Sequence, residues 1–266
     1  MARKRNEKVL RPVHPNAGIE ADYRRKLAAL VDQMSRSYEH WLRAQYRAKP
    51  PVMAQDAAPA VELQREIAAL GVQWQERFDE AAPRLARWFA QAAERRSMRA
   101  LHKILKDAGI SVDFVMTQGM RDVFAATVAE NVSLIKSIAQ QYHTEVEGLV
   151  MRSVSAGRDL SFLTTELKRR YGITDRRAKL IAKDQNNKAT AVFSRVRQQE
   201  AGIEEAVWLH SHGGNEPRPT HLANSGKRYK IAEGWFDPDP KVRRHIWPGE
   251  LINCRCVPKP VVKGFS

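Results

Sequence analysis

The side chains best suited to chemistry lie in the last quarter of this 266-residue chain. Both cysteines, Cys254 and Cys256, are there, separated by a single residue. Thiolate and imidazole groups are the ligands that zinc prefers in proteins. Four histidines lie within 46 residues of the cysteine pair, namely His210, His212, His221 and His245.

The spacing of the two cysteines weighs against a metal site, because structural zinc usually uses pairs separated by two to four residues. A disulfide between Cys254 and Cys256 is unfavourable, since an i,i+2 bridge strains its own geometry. A Cys–His nucleophile pair is conceivable, but no oxyanion loop or third orienting group accompanies it. We therefore predict no catalytic residue, no cofactor and no metal ligand, with zinc at His221 and the cysteines as the alternative.

Packing is the interpretation that we prefer for the conspicuous polar residues of this region. We expect His221 and Arg255 to satisfy buried carbonyl groups or to pair with an acid such as Glu250. Trp208 and its neighbouring tryptophans are expected in the core of the module rather than on a base-stacking surface.

The elements that position these residues differ between the two parts of the chain. Long amphipathic helices are predicted over residues 20–48 and 117–150, where apolar side chains recur along one helical face. A helical stretch between them contains Pro83, which we expect to break or kink it. Two shorter helices are predicted next, one over residues 159–172 and another over 174–202.

Beyond Gly202 the helical spacing disappears, and proline and glycine separate short candidate strands at residues 206–210, 228–231 and 255–257. The predicted fold class is α+β, mainly α, with an extended helical body followed by a small loop-rich β-containing C-terminal module. The predicted domains are a flexible basic arm (1–19), the helical body (20–173), the C-terminal module (174–262) and a tail (263–266).

The chain is strongly basic, with 45 Lys and Arg against 30 Asp and Glu, a net charge of +15 and an isoelectric point near 10.1. Residues 1–50 and 151–200 each carry a net charge of +7. This charge favours a polyanionic partner without naming it. No apolar run approaches the length of a membrane span, so we expect no integral membrane association.

Residues 178–258 carry a series of short motifs in a distinctive order. They are Asp184-Gln-Asn-Asn-Lys188, Arg197-Gln-Gln-Glu-Ala-Gly202-Ile203, Val207-Trp208, Pro217-Arg-Pro-Thr-His221, Gly226-Lys-Arg-Tyr229, Trp247-Pro-Gly-Glu250 and Asn253-Cys-Arg-Cys-Val-Pro258. This order resembles the phage head morphogenesis domain of the Mu F-like minor head proteins of tailed bacteriophages.

The resemblance implies a minor structural protein of a phage head rather than an enzyme. Such a protein would dock at the portal vertex during procapsid assembly and contact the genome or assist its passage. Its partners would be the portal protein, other head or scaffold proteins, and phage genomic DNA bound through charge without sequence preference. It would be found in the virion, at the head interior or portal vertex, and in the host cytoplasm during assembly. The alternative is a sequence-nonspecific DNA-binding or DNA-processing factor, whose C-terminal module zinc could stabilise.

Overall fold

A computed structural model describes residues 7–48, 57–155, 160–212 and 216–264. Its helices are α1 (Ala17–Ala48), α2 (Ala57–Asp107), α3 (Gln118–Ser155), α4 (Leu160–Glu200) and α5 (Pro219–Asn224). Its strands are β1 (Glu7–Val9), β2 (Glu205–Leu209), β3 (Arg228–Lys230), β4 (Trp235–Asp237), β5 (Arg244–Ile246) and β6 (Val257–Lys263). The predicted class, α+β and mainly α, is confirmed.

Local sequence accounts for the ends of the long helices. The side chain of Asn16 accepts a hydrogen bond from the backbone N–H of Ile19 at 3.1 Å, which caps the start of α1. Gly109, with φ of 85°, follows the end of α2 in the left-handed conformation that glycine adopts most readily. Among the described helices, none is both long and apolar enough to cross a bilayer.

Of the two outcomes predicted at Pro83, a break or a kink, the break does not occur, because helix α2 runs through that residue without interruption. An internal proline removes one backbone hydrogen bond and costs about 3 kcal/mol. Apolar side chains on both sides of it, Phe78, Ala82, Ala86 and Phe89, are fully buried. Burial of that continuous face outweighs the lost bond.

Helix α4 is likewise one element where two were predicted. The expected boundary at residues 172–174 lies inside it, and the Thr174 hydroxyl donates to the carbonyl of Arg170 at 3.0 Å instead of capping a new helix. Leu167 and Ala178, one on each side, are buried. Their burial holds the helix together across Gly172, which alone costs about 1 kcal/mol.

The chain divides into two compact units. The described parts of Met1–Glu20, Trp88–Thr127 and Lys183–Ser266 form the first unit, and those of Ala21–Arg87 and Val128–Ala182 form the second. This division differs from the predicted boundaries, because residues 88–127 group with the C-terminal module rather than with a helical body.

The first unit contains a four-stranded antiparallel sheet in the order β1-β6-β2-β3 and a β4-β5 hairpin. Strand β1 belongs to the segment predicted as a flexible arm, and it pairs Val9 with Val261 of β6. Leu10 and Val13, which follow it, are 3% and 2% exposed. Residues 7–19 are therefore built into the fold, whereas residues 1–6 of the predicted arm and residues 265–266 of the predicted tail lie outside the described residues.

The second unit is held by a series of buried tyrosines on α1. Their hydroxyl groups form hydrogen bonds with polar side chains of α3, in the pairs Tyr23–Asn131 (2.9 Å), Tyr38–His143 (3.0 Å) and Tyr46–Ser153 (3.1 Å). A tyrosine of α3, Tyr142, donates in return to Ser35 of α1 at 3.1 Å. Apolar residues of α1 between the tyrosines are fully buried. The apolar face predicted for this helix is thus covered within the chain, so it needs no partner protein.

Candidate metal centre

Three side chains from distant parts of the sequence meet in the first unit. The sulfur of Cys254 lies 3.5 Å from Nδ1 of His221, and the sulfur of Cys256 lies 3.6 Å from the same nitrogen. All three potential ligand atoms lie within 4.8 Å of one another. The residues are 2–3% exposed, and neither cysteine forms a disulfide.

The backbone around these residues explains why they converge. His221 lies in the short helix α5, and Arg218 immediately before that helix donates to the carbonyl of Ile252 at 3.0 Å. Asn253 adopts a left-handed conformation, with φ of 60°, and its N–H donates to Asp184 of α4 at 2.7 Å. The chain then enters β6 at Val257, and the sulfurs of both cysteines reach the same nitrogen of His221.

A carboxylate that no sequence motif singles out lies behind the imidazole. Asp237 Oδ2, at the end of β4, is 3.3 Å from His221 Nε2, and the Asp237 side chain is fully buried. Neither Nε2 nor Oδ2 has a complete hydrogen bond to any described residue. Asp237 Oδ1 accepts from the N–H of Asp239 at 3.0 Å.

The acid suggested from the sequence as a partner for His221 or Arg255, Glu250, is engaged elsewhere. It pairs with Arg244 at 2.6 Å and accepts the N–H of Trp247 at 3.0 Å. The acid beside His221 is Asp237, which lies in a hairpin whose pairing carries no signature in the local sequence.

Aromatic rings and a small cavity surround the cluster. Trp208 is fully buried and meets the His221 ring edge-on at 5.1 Å, and Trp235 lies 5.4 Å from Trp208. The cavity has a volume of about 40 Å³ and is lined by both cysteines, His221 and His210. A space of this size holds a water molecule or an ion.

Burial and mutual contact make the two thiols unequal. The hydrogen bond from Cys256, assisted by His221 and opposed by burial, lowers the pKa of the Cys254 thiol. The same contact, together with burial, raises the pKa of the Cys256 thiol, against weaker lowering effects from Trp208 and Ser211. The two thiols therefore titrate as a coupled pair, in which the first proton lost leaves a thiolate that the remaining thiol hydrogen-bonds.

The other histidines considered from the sequence do not join the three ligands. His210 lines the cavity, but its Nδ1 accepts the N–H of His212 at 3.1 Å. Burial, followed by the neighbouring His212, lowers the pKa of His210. His245 lies exposed on β5 with its ring 5.6 Å from that of Phe236.

Several motif residues of α4 fasten the helix to the module rather than line a site. Asp184, which holds the Asn253 N–H, also pairs with Lys188 at 3.1 Å. The guanidinium of Arg195 stacks on the ring of Trp247 at 4.2 Å. The spaced acid and lysine of the first motif thus position the turn that carries the cysteines.

Arg197 is the most deeply buried cation of this helix, at 2% exposure. It pairs with Glu94 of α2 at 3.1 Å and with Glu200 at 2.8 Å, and it also donates to the carbonyl of Val115. The guanidinium lies 5.2 Å from the ring of Phe114. The charge of Arg197 is therefore paired inside the protein and is unavailable to a polyanion.

Comparison with known proteins agrees with the order of the motifs. Residues 144–258 match the family model described as Phage Mu protein F like protein. Over this segment the chain is similar to the Mu F-like family. The matched Mu F-like segment starts upstream of the motifs, within α3, and ends at the first residues of β6.

A relative of the chain is an "Uncharacterized protein" of Haemophilus influenzae. The two are 34% identical over 137 residues, which are 52% of this chain and 29% of the relative. The chain thus spans less than a third of the length of the curated relative that it matches. No solved structure matches it.

Proposed function

We propose that the chain is a minor structural protein of a tailed-phage head, which docks at the portal vertex during procapsid assembly. The observation that carries this proposal is the Mu F-like match over residues 144–258. The internal roles of the motif residues support a structural part: Asp184 holds the cysteine turn, and Arg197 joins α2 to α4. These contacts shape a module that partner proteins can recognise.

Contact with DNA is the second part of the proposal, and α4 offers a surface for it. Lys168, Arg176 and Lys179 are exposed, and at 3.6 residues per turn they fall within about 80° of one another around the helix. We call these three residues the α4 stripe. Other cations of the same basic block pair internally, as Arg170 does with Glu145 at 2.9 Å. The α4 stripe can therefore meet phosphates without reading bases.

The head assignment is tested on particles of the phage that encodes the chain. Antiserum and quantitative mass spectrometry on purified procapsids and virions are expected to detect a few copies in each particle. Crosslinking of the procapsids is expected to join the chain to the portal protein. Absence from both kinds of particle would overturn the head assignment. If the chain nevertheless bound DNA, the nonspecific DNA-binding alternative would replace it.

We predict that changing the α4 stripe to glutamine weakens binding to duplex DNA of arbitrary sequence. Each phosphate contact contributes about 0.9 to the slope of log affinity against log salt, so losing three is expected to flatten that slope by about 2.7. The measurement is fluorescence anisotropy with a labelled duplex over a salt series, using the full chain.

The matched control changes the same net charge at exposed lysines of the first unit, Lys106, Lys227 and Lys241. We expect this control to leave the salt slope unchanged. Equal losses in the two triple variants would mean that overall charge, not the α4 stripe, drives binding. An unchanged slope in the stripe variant would remove α4 as the DNA-contacting surface.

A further inference from the structure

We propose that His221, Cys254 and Cys256 bind a zinc ion, and that Asp237 orients the histidine ligand. The site would use Nδ1 of the imidazole and both thiolates. It lies outside the proposed role in the phage head and does not depend on it. It also reverses the preference for packing that the cysteine spacing suggests.

The two sulfur–nitrogen distances fit a tetrahedral metal. Zinc–sulfur bonds of about 2.3 Å and zinc–nitrogen bonds of about 2.05 Å at the tetrahedral angle place sulfur and nitrogen about 3.6 Å apart. The separations from His221 Nδ1 are 3.5 Å to Cys254 and 3.6 Å to Cys256. Both contacts therefore hold the ligands at the spacing that one shared ion requires.

Asp237 supplies the outer carboxylate that zinc-bound histidines commonly have. Metal at Nδ1 places the imidazole proton on Nε2, which faces Asp237 Oδ2 at 3.3 Å. Both of these buried atoms otherwise lack a complete hydrogen bond. A small rotation of the ring on binding the ion would satisfy the two together.

The local backbone explains how the short cysteine spacing is compatible with zinc. After Asn253, whose backbone is left-handed, residues 254 and 256 present their sulfurs to the same imidazole nitrogen. A Cys-x-Cys pair held in this way can thus chelate as a Cys-x-x-Cys pair on a helix or turn does. Two thiolates also balance the charge of Zn²⁺, which makes a centre of this kind compatible with burial.

The fourth ligand is assigned to water in the adjoining cavity rather than to His210. Nδ1 of His210 accepts the N–H of His212, so the neutral ring carries its proton on Nε2. That nitrogen has no lone pair to offer a metal. The cavity of about 40 Å³ beside the cysteines has room for a water molecule.

The full chain, purified, stripped with a chelator and dialysed, provides the test. Titration with zinc against a chromophoric competitor is expected to end at about one ion per chain. Titration with Co²⁺ is expected to give thiolate-to-metal charge-transfer absorption together with the intense visible bands of tetrahedral cobalt. Zinc is also expected to raise the midpoint of thermal unfolding, because it binds the folded chain in preference to the unfolded one.

Variants locate the site. Cys254→Ser and Cys256→Ser are each expected to abolish the charge-transfer absorption, and Asp237→Asn to weaken zinc binding by about 10–100-fold with the stoichiometry kept. His245→Ala, which removes an exposed imidazole of the same module, is the matched control and is expected to bind as the wild type does. His210→Ala is expected to keep the cobalt spectrum, and its loss would overturn the assignment of water.

Two results would overturn the zinc site as a whole. One is a wild-type chain that takes up no zinc and gives no thiolate-to-cobalt absorption, a result that needs no variant to fold. The other is a cysteine variant that retains folded circular dichroism and the wild-type stoichiometry, because the ion would then be bound elsewhere.

Discussion

Replacing Arg197 with methionine is expected to lower the free energy of unfolding by about 3–5 kcal/mol, since removing one partner of a buried ion pair leaves the other charge uncompensated. The stranded group is Glu94, which is 7% exposed and faces the Arg197 guanidinium at 3.1 Å. The carbonyl of Val115 loses a donor in the same step. Urea denaturation followed by tryptophan fluorescence measures the change.

Arg169→Met is the matched control, because Arg169 is also an arginine of α4 with a glutamate three residues away. Its partner Glu166 lies at 2.7 Å, but Arg169 is half exposed. An exposed pair contributes little, so we expect almost no change in stability. Adding Glu94→Gln to Arg197→Met should restore part of the loss by removing the buried charge. Equal effects of Arg197→Met and Arg169→Met would contradict a special role for the buried pair.

Periodicity in the sequence predicts the helical parts of this fold well because helices are local structures. The spacing of apolar residues places α1 and α3 to within a few residues. It fails at Pro83 and at residues 172–174, where tertiary burial on both sides of a helix breaker decides the outcome. Local propensity contains no information about that burial.

Strand β1 shows a second reason why prediction from the sequence fails. Its three residues pair with β6, more than 250 positions away, and nothing in the surrounding polar sequence reports that partner. A short segment with few apolar residues looks like an arm until its long-range pairing is known.

In the candidate metal centre, too, the sequence singles out some residues, while others are found only from long-range contacts. Residue type and motif order are sufficient to single out His221, Cys254 and Cys256. Asp237 cannot be found in this way, because it reaches His221 only through the β4-β5 hairpin. The Cys-x-Cys spacing alone weighs against zinc, but the fold brings both sulfurs to one imidazole nitrogen, which the spacing cannot show.

A second large loss of stability is expected from Gly249→Ala, in the Pro-Gly-Glu turn that packs on α4. Gly249 has φ of 82°, a conformation that costs a residue with a Cβ about 1–2 kcal/mol. The added methyl group would also lie 2.7 Å from Cβ of Ala191. Overpacking of this kind costs roughly another 1–3 kcal/mol, since the helix and the turn must separate.

Gly226→Ala separates these two contributions. Gly226 has nearly the same φ, 86°, but a Cβ there would meet nothing within 4 Å. We expect it to show the conformational cost alone, so the denaturation midpoint should fall less than in Gly249→Ala. Similar losses at the two glycines would mean that the turn does not press on α4.

Ala191→Gly provides the decisive comparison for the steric part. Alone it should cost about 1 kcal/mol, the usual penalty for glycine inside a helix. In the Gly249→Ala background it removes the atom that the new methyl group strikes, so its cost should shrink or become a gain. A double-mutant cycle measures this coupling. If the two losses in the free energy of unfolding were strictly additive, contact between the new methyl group and Ala191 would not be the cause of the loss in Gly249→Ala.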